Sequence, residues 1–388
     1  MVPMRHFDFL DDADRQRLFL REPERFSDSA DIALLSAALG ATLYSPATRP
    51  ALAADIAKRA AQGVVSVVAC LEDAIADADL ADAERNVVSQ LRVLAEAATP
   101  PPLVFVRVRA PEQVAMVVDR LGDSVGVLTG FVLPKFTDEC GPAYLDAVAD
   151  ASASSGRRLL AMPVLESAEI IHAETRPQTL LAVRALLDKH RERILAVRLG
   201  VTDLSAAYGL RRSRDLTGYD VRVVADVIAD VVNVFGRAAE GYVVTGAVWE
   251  YFTGTERMFK PQLRESPFVE HDERRLRARL IAADLDGLIR EVALDRANGL
   301  TGKTVIHPSH VAAVHALSVV THEEYLDATD VLGTAAGGGV ASSAYRNKMN
   351  ESKPHTAWAH RTMLRARAFG VAQEDVSFVD LLGASLQQ

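Results

Sequence analysis

Eight times between Ala41 and Pro308 a short apolar run breaks off and, in most cases, a helical stretch follows. The runs are Ala41–Pro46, Val64–Leu71, Leu103–Arg109, Gly130–Lys135, Leu159–Leu165, Ile194–Gly200, Gly241–Gly246 and Thr304–Pro308. Among the stretches between them, Leu52–Gln62, Ala81–Ala97, Glu112–Leu121 and Glu273–Asn298 read as helices. Apolar runs that do not alternate with polar residues are the pattern of parallel strands buried on both faces. The roughly 20 to 40 residues separating most of them suit right-handed crossovers. Eight such units in one series predict an α/β fold closed into a TIM (β/α)8 barrel rather than an open sheet.

At 388 residues the chain exceeds what the barrel needs, so appendages are expected. Residues 1–40 read as an N-terminal extension, 41–335 as the barrel, and 336–388 as a C-terminal lid and oligomerisation segment. In that last segment Gly337-Gly338-Gly339 reads as a hinge and Thr356–Ala368 as a helix. The net charge of −9 argues against broad binding to nucleic acid or to anionic membranes. Residues Met1–Asp14 show no signal pattern, and no window approaches about 18 consecutive apolar residues, so a cytoplasmic protein is expected. Cys70 and Cys140 form neither a disulfide framework nor a zinc pattern.

In a barrel of this kind the reacting groups gather at the carboxyl ends of the strands. This sequence places Arg49, Glu72, Asp73, Arg107, Lys135, Glu166, Asp203 and His307 there. Each alone reads equally as a cap, an ion pair or a solvated loop residue, and Glu166 and Asp203 as N-caps of the helices that follow. Together they are hard to explain by stability, because buried charges cost several kcal/mol unless paired or bound to metal. Two acids on neighbouring strands suit one Mg²⁺ ion, which prefers oxygen and takes only one or two carboxylates besides substrate and water. Ala297–Thr304 fits a relaxed phosphate-loop pattern, but a helix precedes it and a strand follows, the reverse of what that loop requires. No G-x-G-x-x-G follows a strand, which disfavours a dinucleotide cofactor.

Several motifs occur in a telling order: Leu43–Pro50, Leu71–Ala74, Val106–Val108, Leu133–Lys135, Val164–Ser167, Leu199–Leu204, Ile306–Ser309 and the tail Lys348–His355. Over roughly residues 41 to 370 the chain resembles the citrate lyase beta-subunit-like (HpcH/HpaI aldolase) family. It is most similar to the divergent carbon–carbon lyase branch associated with tellurite-resistance gene clusters. The resemblance implies an Mg²⁺-dependent enzyme that makes or breaks a carbon–carbon bond beside a carbonyl through a metal-stabilised enolate. Its substrate would be a small anionic oxo acid or acyl-CoA-type adduct. Glu166 and Asp203 would hold the metal, Arg107 would grip a substrate carboxylate, and Glu72 and Asp73 would sit beside the ion. Arg49, Lys135 and His307 would bind substrate. Glu351, or else Ser352, would reach the site of a neighbouring subunit, which implies a homo-oligomer such as a trimer or a dimer of trimers. Where the family usually has Gly-Asp before the first-loop arginine the chain has Ala47-Thr48, and Arg109 stands where Asn is common, so CoA use is left open.

Two rival readings keep the same barrel. One is a thioesterase or hydrolase on the same metal site, with Glu72 or Glu351 activating water. The other is a non-catalytic metabolite-binding subunit, against which the intact set of Glu166, Asp203 and Arg107 speaks. The basic stretches Arg211-Arg212-Ser213-Arg214 and Arg346–Arg367 would steer an anionic substrate or simply be solvated helix faces.

Overall fold

The computed structural model describes residues 3–252, 285–334 and 339–386. The first part of the expected Glu273–Asn298 helix and two glycines of the expected hinge lie outside those residues.

A short strand β1 (Phe19–Arg21) precedes the barrel, whose eight strands are β2 (Ala41–Pro46), β3 (Ser66–Cys70), β4 (Leu103–Arg107), β5 (Gly130–Leu133), β6 (Leu160–Leu165), β7 (Val197–Leu199), β8 (Val244–Trp249) and β9 (Lys303–Val305). All eight pair in parallel in sequence order, and β2 pairs with β9 to close the barrel. Every residue of β3, β5 and β6 is buried, as the unbroken apolar runs require. Gly130 is needed for this closure, since a β-carbon there would lie 1.9 Å from the carbonyl oxygen of Leu160.

Several strands differ from the sequence expectation: β3 and β4 are trimmed at their ends, and β9 covers Lys303–Val305 rather than Thr304–Pro308. β5 stops at Leu133, because Lys135 adopts a left-handed backbone (φ +48°) and turns the chain out of the sheet. β7 shortens to Val197–Leu199, while Ile194 keeps only an isolated bridge to Ala161. β8 lies three residues later than expected, at Val244–Trp249 rather than Gly241–Gly246. Tyr242 is tied to Asp188 by its hydroxyl (2.7 Å), and the pairing with β7 begins where the Val197 N–H donates to the Val243 carbonyl (2.8 Å) and Val197 faces Val244.

Beyond β9, strands β10 (Val340–Ser342) and β11 (Met349–Glu351) form a hairpin, a helix runs Ser352–Phe369, and β12 (Val371–Ala372) follows. β12 pairs antiparallel with β1, so the first and last parts of the chain interlock. Their junction at the amino end of the barrel is aromatic. His6 stacks on Phe369 (centroids 4.2 Å apart) and meets His315 edge-on (4.5 Å), and His315 Nε2 accepts the N–H of Ala41 at the start of β2. Among the described residues no helix is long and apolar enough to cross a membrane, and both cysteines are free thiols.

The lysine of the phosphate-loop-like stretch has a structural task. Lys303, 1% exposed, reaches Glu291 Oε1 (2.8 Å) and Asp295 Oδ2 (2.7 Å) on the helix Leu285–Ala297. Arg212 pairs with the other oxygen of Glu291, and Tyr219 donates to Asp295 at 2.9 Å. Two cations thus neutralise two buried acids between barrel and helix.

Candidate active site

Strand β4 carries Leu103–Val106 in the core and ends on Arg107. Its Nη2 lies 2.7 Å from Glu72 Oε2, 2.8 Å from Glu166 Oε1 and 3.2 Å from Asp73 Oδ2. Glu72 and Asp73 follow the end of β3, and Glu166 follows β6. Lys135 Nζ contacts Glu72 and reaches Asp73 Oδ1 at 3.2 Å. The left-handed turn at Lys135, a conformation that costs a non-glycine residue about 1–3 kcal/mol, also directs its backbone N–H onto Glu166 Oε1 at 3.1 Å. On the other side of the carboxylate, Gly200 leaves room for Glu166 Oε2, which a β-carbon at position 200 would approach to 2.0 Å.

Burial is the largest influence on Glu166 and, with the nearby charge of Asp203, pushes its carboxyl up to about 7 against the opposing pull of Arg107. Burial likewise raises Glu72. It would raise Asp73 too, but the hydrogen bond shared with Glu72 and the charges of Arg107 and Lys135 hold Asp73 below the usual range. Burial works against the charge of Lys135, yet its contacts with Glu72 and Asp73 outweigh it and hold the ammonium firmly protonated. The cluster therefore has four carboxylates facing two cations.

The structure brings together Glu72, Asp73, Arg107, Lys135 and Glu166, with Asp203 beside them. Neither Glu166 nor Asp203 is an N-cap. Ser167 and Gly200 hold those positions, and neither following helix has a side-chain cap hydrogen bond. Arg49 is exposed in the loop after β2 and pairs with Asp55 at 2.7 Å. His307, after β9, bonds Ser309 (2.7 Å) and stacks on Phe252 (4.5 Å, 5° between planes). Arg109 is engaged by Asp77 and the Ile75 carbonyl. Glu351 begins the helix Ser352–Phe369, where its N–H donates to His355 Nδ1 at 3.1 Å. That helix packs on Ile32–Ala38, which feeds the amino end of β2, so Glu351 does not join the acids of its own chain. Ser352 is buried there, its hydroxyl bonded to Thr334 at 2.7 Å.

The carbon–carbon bond lyase family of the TIM-barrel fold matches residues 33–371, most of the chain. The chain belongs to this family. No curated protein sequence matches this lyase. Among solved structures, it is similar to CitE from Mycobacterium tuberculosis in complex with magnesium, acetoacetate and coenzyme A: 20% identity, TM-score 0.52, covering 85% of this chain and 99% of that one. It is also similar to a citrate lyase from Burkholderia xenovorans, with 15% identity and TM-score 0.60, covering 89% and 96%. At these identities the likeness establishes the barrel.

Three residues of the lyase went unassigned in the sequence. In the sequence Gly200 reads only as the end of a strand. Tyr44 and Arg198 read as members of apolar runs, although strand parity places Thr42 and Tyr44 on one face of β2. A signal was present, since an arginine within an otherwise apolar strand demands a partner.

Proposed function

We propose that this lyase is an Mg²⁺-dependent carbon–carbon lyase or aldolase acting on a small oxo acid or its adduct at the carboxyl end of the barrel. The observation that carries the reading is the convergence of Glu72, Asp73 and Glu166, from the ends of two strands, on Arg107 and Lys135 at the carboxyl end of the barrel, with the charge of Asp203 beside Glu166. The donor set fits magnesium, being hard oxygen. Among the described residues no three His, Cys, Asp or Glu side chains form a closed metal cage. Glu166 and Asp203 would hold the ion. When bound, the ion supplies Lewis-acid stabilisation of the negative charge that develops on a carbonyl oxygen as the adjacent carbon–carbon bond opens.

The chain's own groups do the rest. Arg107 presents a planar fork to a substrate carboxylate, and its buried Nε, without a partner among the described residues, is a donor still to be satisfied. Lys135 and Arg107 neutralise Glu72 and Asp73 and hold them in place, where they would tune the charge beside a bound ion. Supporting the reading, magnesium and acetoacetate are bound in the M. tuberculosis relative of the same fold.

Isothermal titration of chelator-treated protein tests this, with Mg²⁺ first and then oxaloacetate, pyruvate and glyoxylate. Oxo-acid binding that needs Mg²⁺ and vanishes in a folded Glu166→Gln variant is the expected result. Absence of Mg²⁺ binding, or binding indifferent to the variant, would overturn the reading.

A further inference from the structure

Arg198, in the middle of β7, is 1% exposed and, among the described residues, has no carboxylate partner. Its guanidinium is held by neutral groups: Nη2 donates to Thr304 Oγ1 on β9 at 2.6 Å, and Nη1 lies 3.4 Å from Thr42 Oγ1 on β2 and 3.6 Å from Met162 Sδ on β6. Its Nε has no partner. These contacts span three strands, so the side chain crosses the barrel interior. A buried charge left unpaired costs several kcal/mol, and the two acids of the ion network that Lys303 and Arg212 neutralise show that this chain pairs buried charge where stability is at stake. The carbon at the centre of the Arg198 guanidinium lies 5.5 Å from the ring centroid of Tyr44, which is half-buried one layer above Thr42 on the inward face of β2. Burial raises the Tyr44 phenol above its ordinary value, and the charges of Arg198 and then Arg107 oppose that rise by favouring the phenolate. A guanidinium can only donate hydrogen bonds, so beside Arg198 the phenol oxygen can only accept, and its O–H is left to donate elsewhere.

We propose that Tyr44 is a catalytic proton donor in this site and that Arg198 is the positioning residue whose buried charge holds the phenolate Tyr44 becomes. The proposal rests on the enolate chemistry of the preceding section. As the carbon–carbon bond of the aldol adduct breaks, its electron pair stays with the carbon next to the carbonyl, and the other carbon becomes a carbonyl as its hydroxyl gives up its proton to water. Tyr44 gives its hydroxyl proton to that carbon, forming the C–H bond, and the O–H electron pair remains on the phenolate oxygen. Water then returns a proton to the phenolate. The task explains why Arg198 lacks an acid: a carboxylate partner would cancel the field the phenolate needs.

By microscopic reversibility the same groups would exchange the methyl protons of an enolisable oxo acid. The test is proton NMR of pyruvate in D₂O with the full-length protein and Mg²⁺, alongside titration of both ligands. Tyr44→Phe should bind Mg²⁺ and pyruvate as the parent does but lose exchange by about a hundredfold or more. Arg198→Met should leave the melting temperature unchanged or higher, since no counter-charge is stranded. It should nonetheless lose most of the exchange and shift the basic limb of the pH profile upward, while Arg198→Lys recovers part of both. Exchange equal to the parent in Tyr44→Phe, or none in a parent that binds both ligands, would overturn the proton-donor role while leaving the metal-site reading in place. A parent that binds neither ligand would overturn that reading, and this proposal with it.

Discussion

Gly200 faces Glu166 so closely that a β-carbon at position 200 would lie 2.0 Å from Glu166 Oε2 and 2.5 Å from Glu166 Cβ. The backbone at Gly200 (φ −100°, ψ 70°) needs no left-handed freedom, so glycine is required for the space it leaves rather than for its conformation. Two strands are thereby drawn together where their acids must meet.

Gly200→Ala should consequently displace Glu166 from Arg107 and the Lys135 N–H. Overpacking of this kind costs about 1–3 kcal/mol, but the larger effect should fall on the site. We expect Mg²⁺ affinity to drop at least about tenfold, read by titration, in a protein whose circular dichroism is unchanged. Full affinity would show that Glu166 can leave its place without consequence.

Proton competition should be visible at the same carboxylate. Glu166 titrates at about 7, raised by burial and by Asp203, so below that pH a proton must be displaced before the carboxylate can take a metal. Mg²⁺ affinity is expected to fall about tenfold per pH unit below 7 and to level off above it. Titration in buffers of different ionisation enthalpy should count about one proton released per ion near pH 6.

The two lone lysine and arginine changes to methionine should have opposite signs. Lys303→Met strands Glu291 and Asp295 in the core with only Arg212 to answer them, and should cost about 3–5 kcal/mol in urea denaturation. Arg198→Met removes a cation that no acid answers, and should cost nothing or stabilise. Equal losses in both would mean that Arg198 has a counter-charge after all.

Acid should loosen the junction of the two chain termini. Burial lowers His6 to about 4 and holds His315 well below its ordinary value, so both are neutral in the fold. In the unfolded chain they titrate near 6.5, so between about pH 6.5 and 4 the unfolded state binds more protons and stability falls as pH drops. The contribution present above 6.5 and lost on acidification is about 3 kcal/mol for His6. His6→Gln should flatten the slope of unfolding free energy against pH in that window; an unchanged slope would exclude His6 as its source.

Much of this molecule can be read in its sequence because the reading rests on local rules. Buried parallel strands are apolar throughout, so β3, β4 and β6 announce themselves, and a charged residue at the end of each is visible without knowing what it touches. The failures are those of register. The strand expected at Gly241–Gly246 begins at Val244 because pairing with β7, not apolarity, sets its start. The Glu351 segment carries a family motif, yet its own chain holds it with the helix that leads to the other barrel face.

The order of eight strands, the barrel they close and the row of charges at their carboxyl ends follow from the sequence alone, since each depends on a residue's type and its neighbours along the chain. What each charge does was decided only by closure. Closure set Arg107 against three carboxylates, pressed Gly200 onto Glu166, spent Lys303 on a structural ion network and left Arg198 without an acid. Pairing across the barrel depends on which residues of distant strands share a layer, and electrostatic free energy depends on those distances and on burial, neither of which is local in sequence.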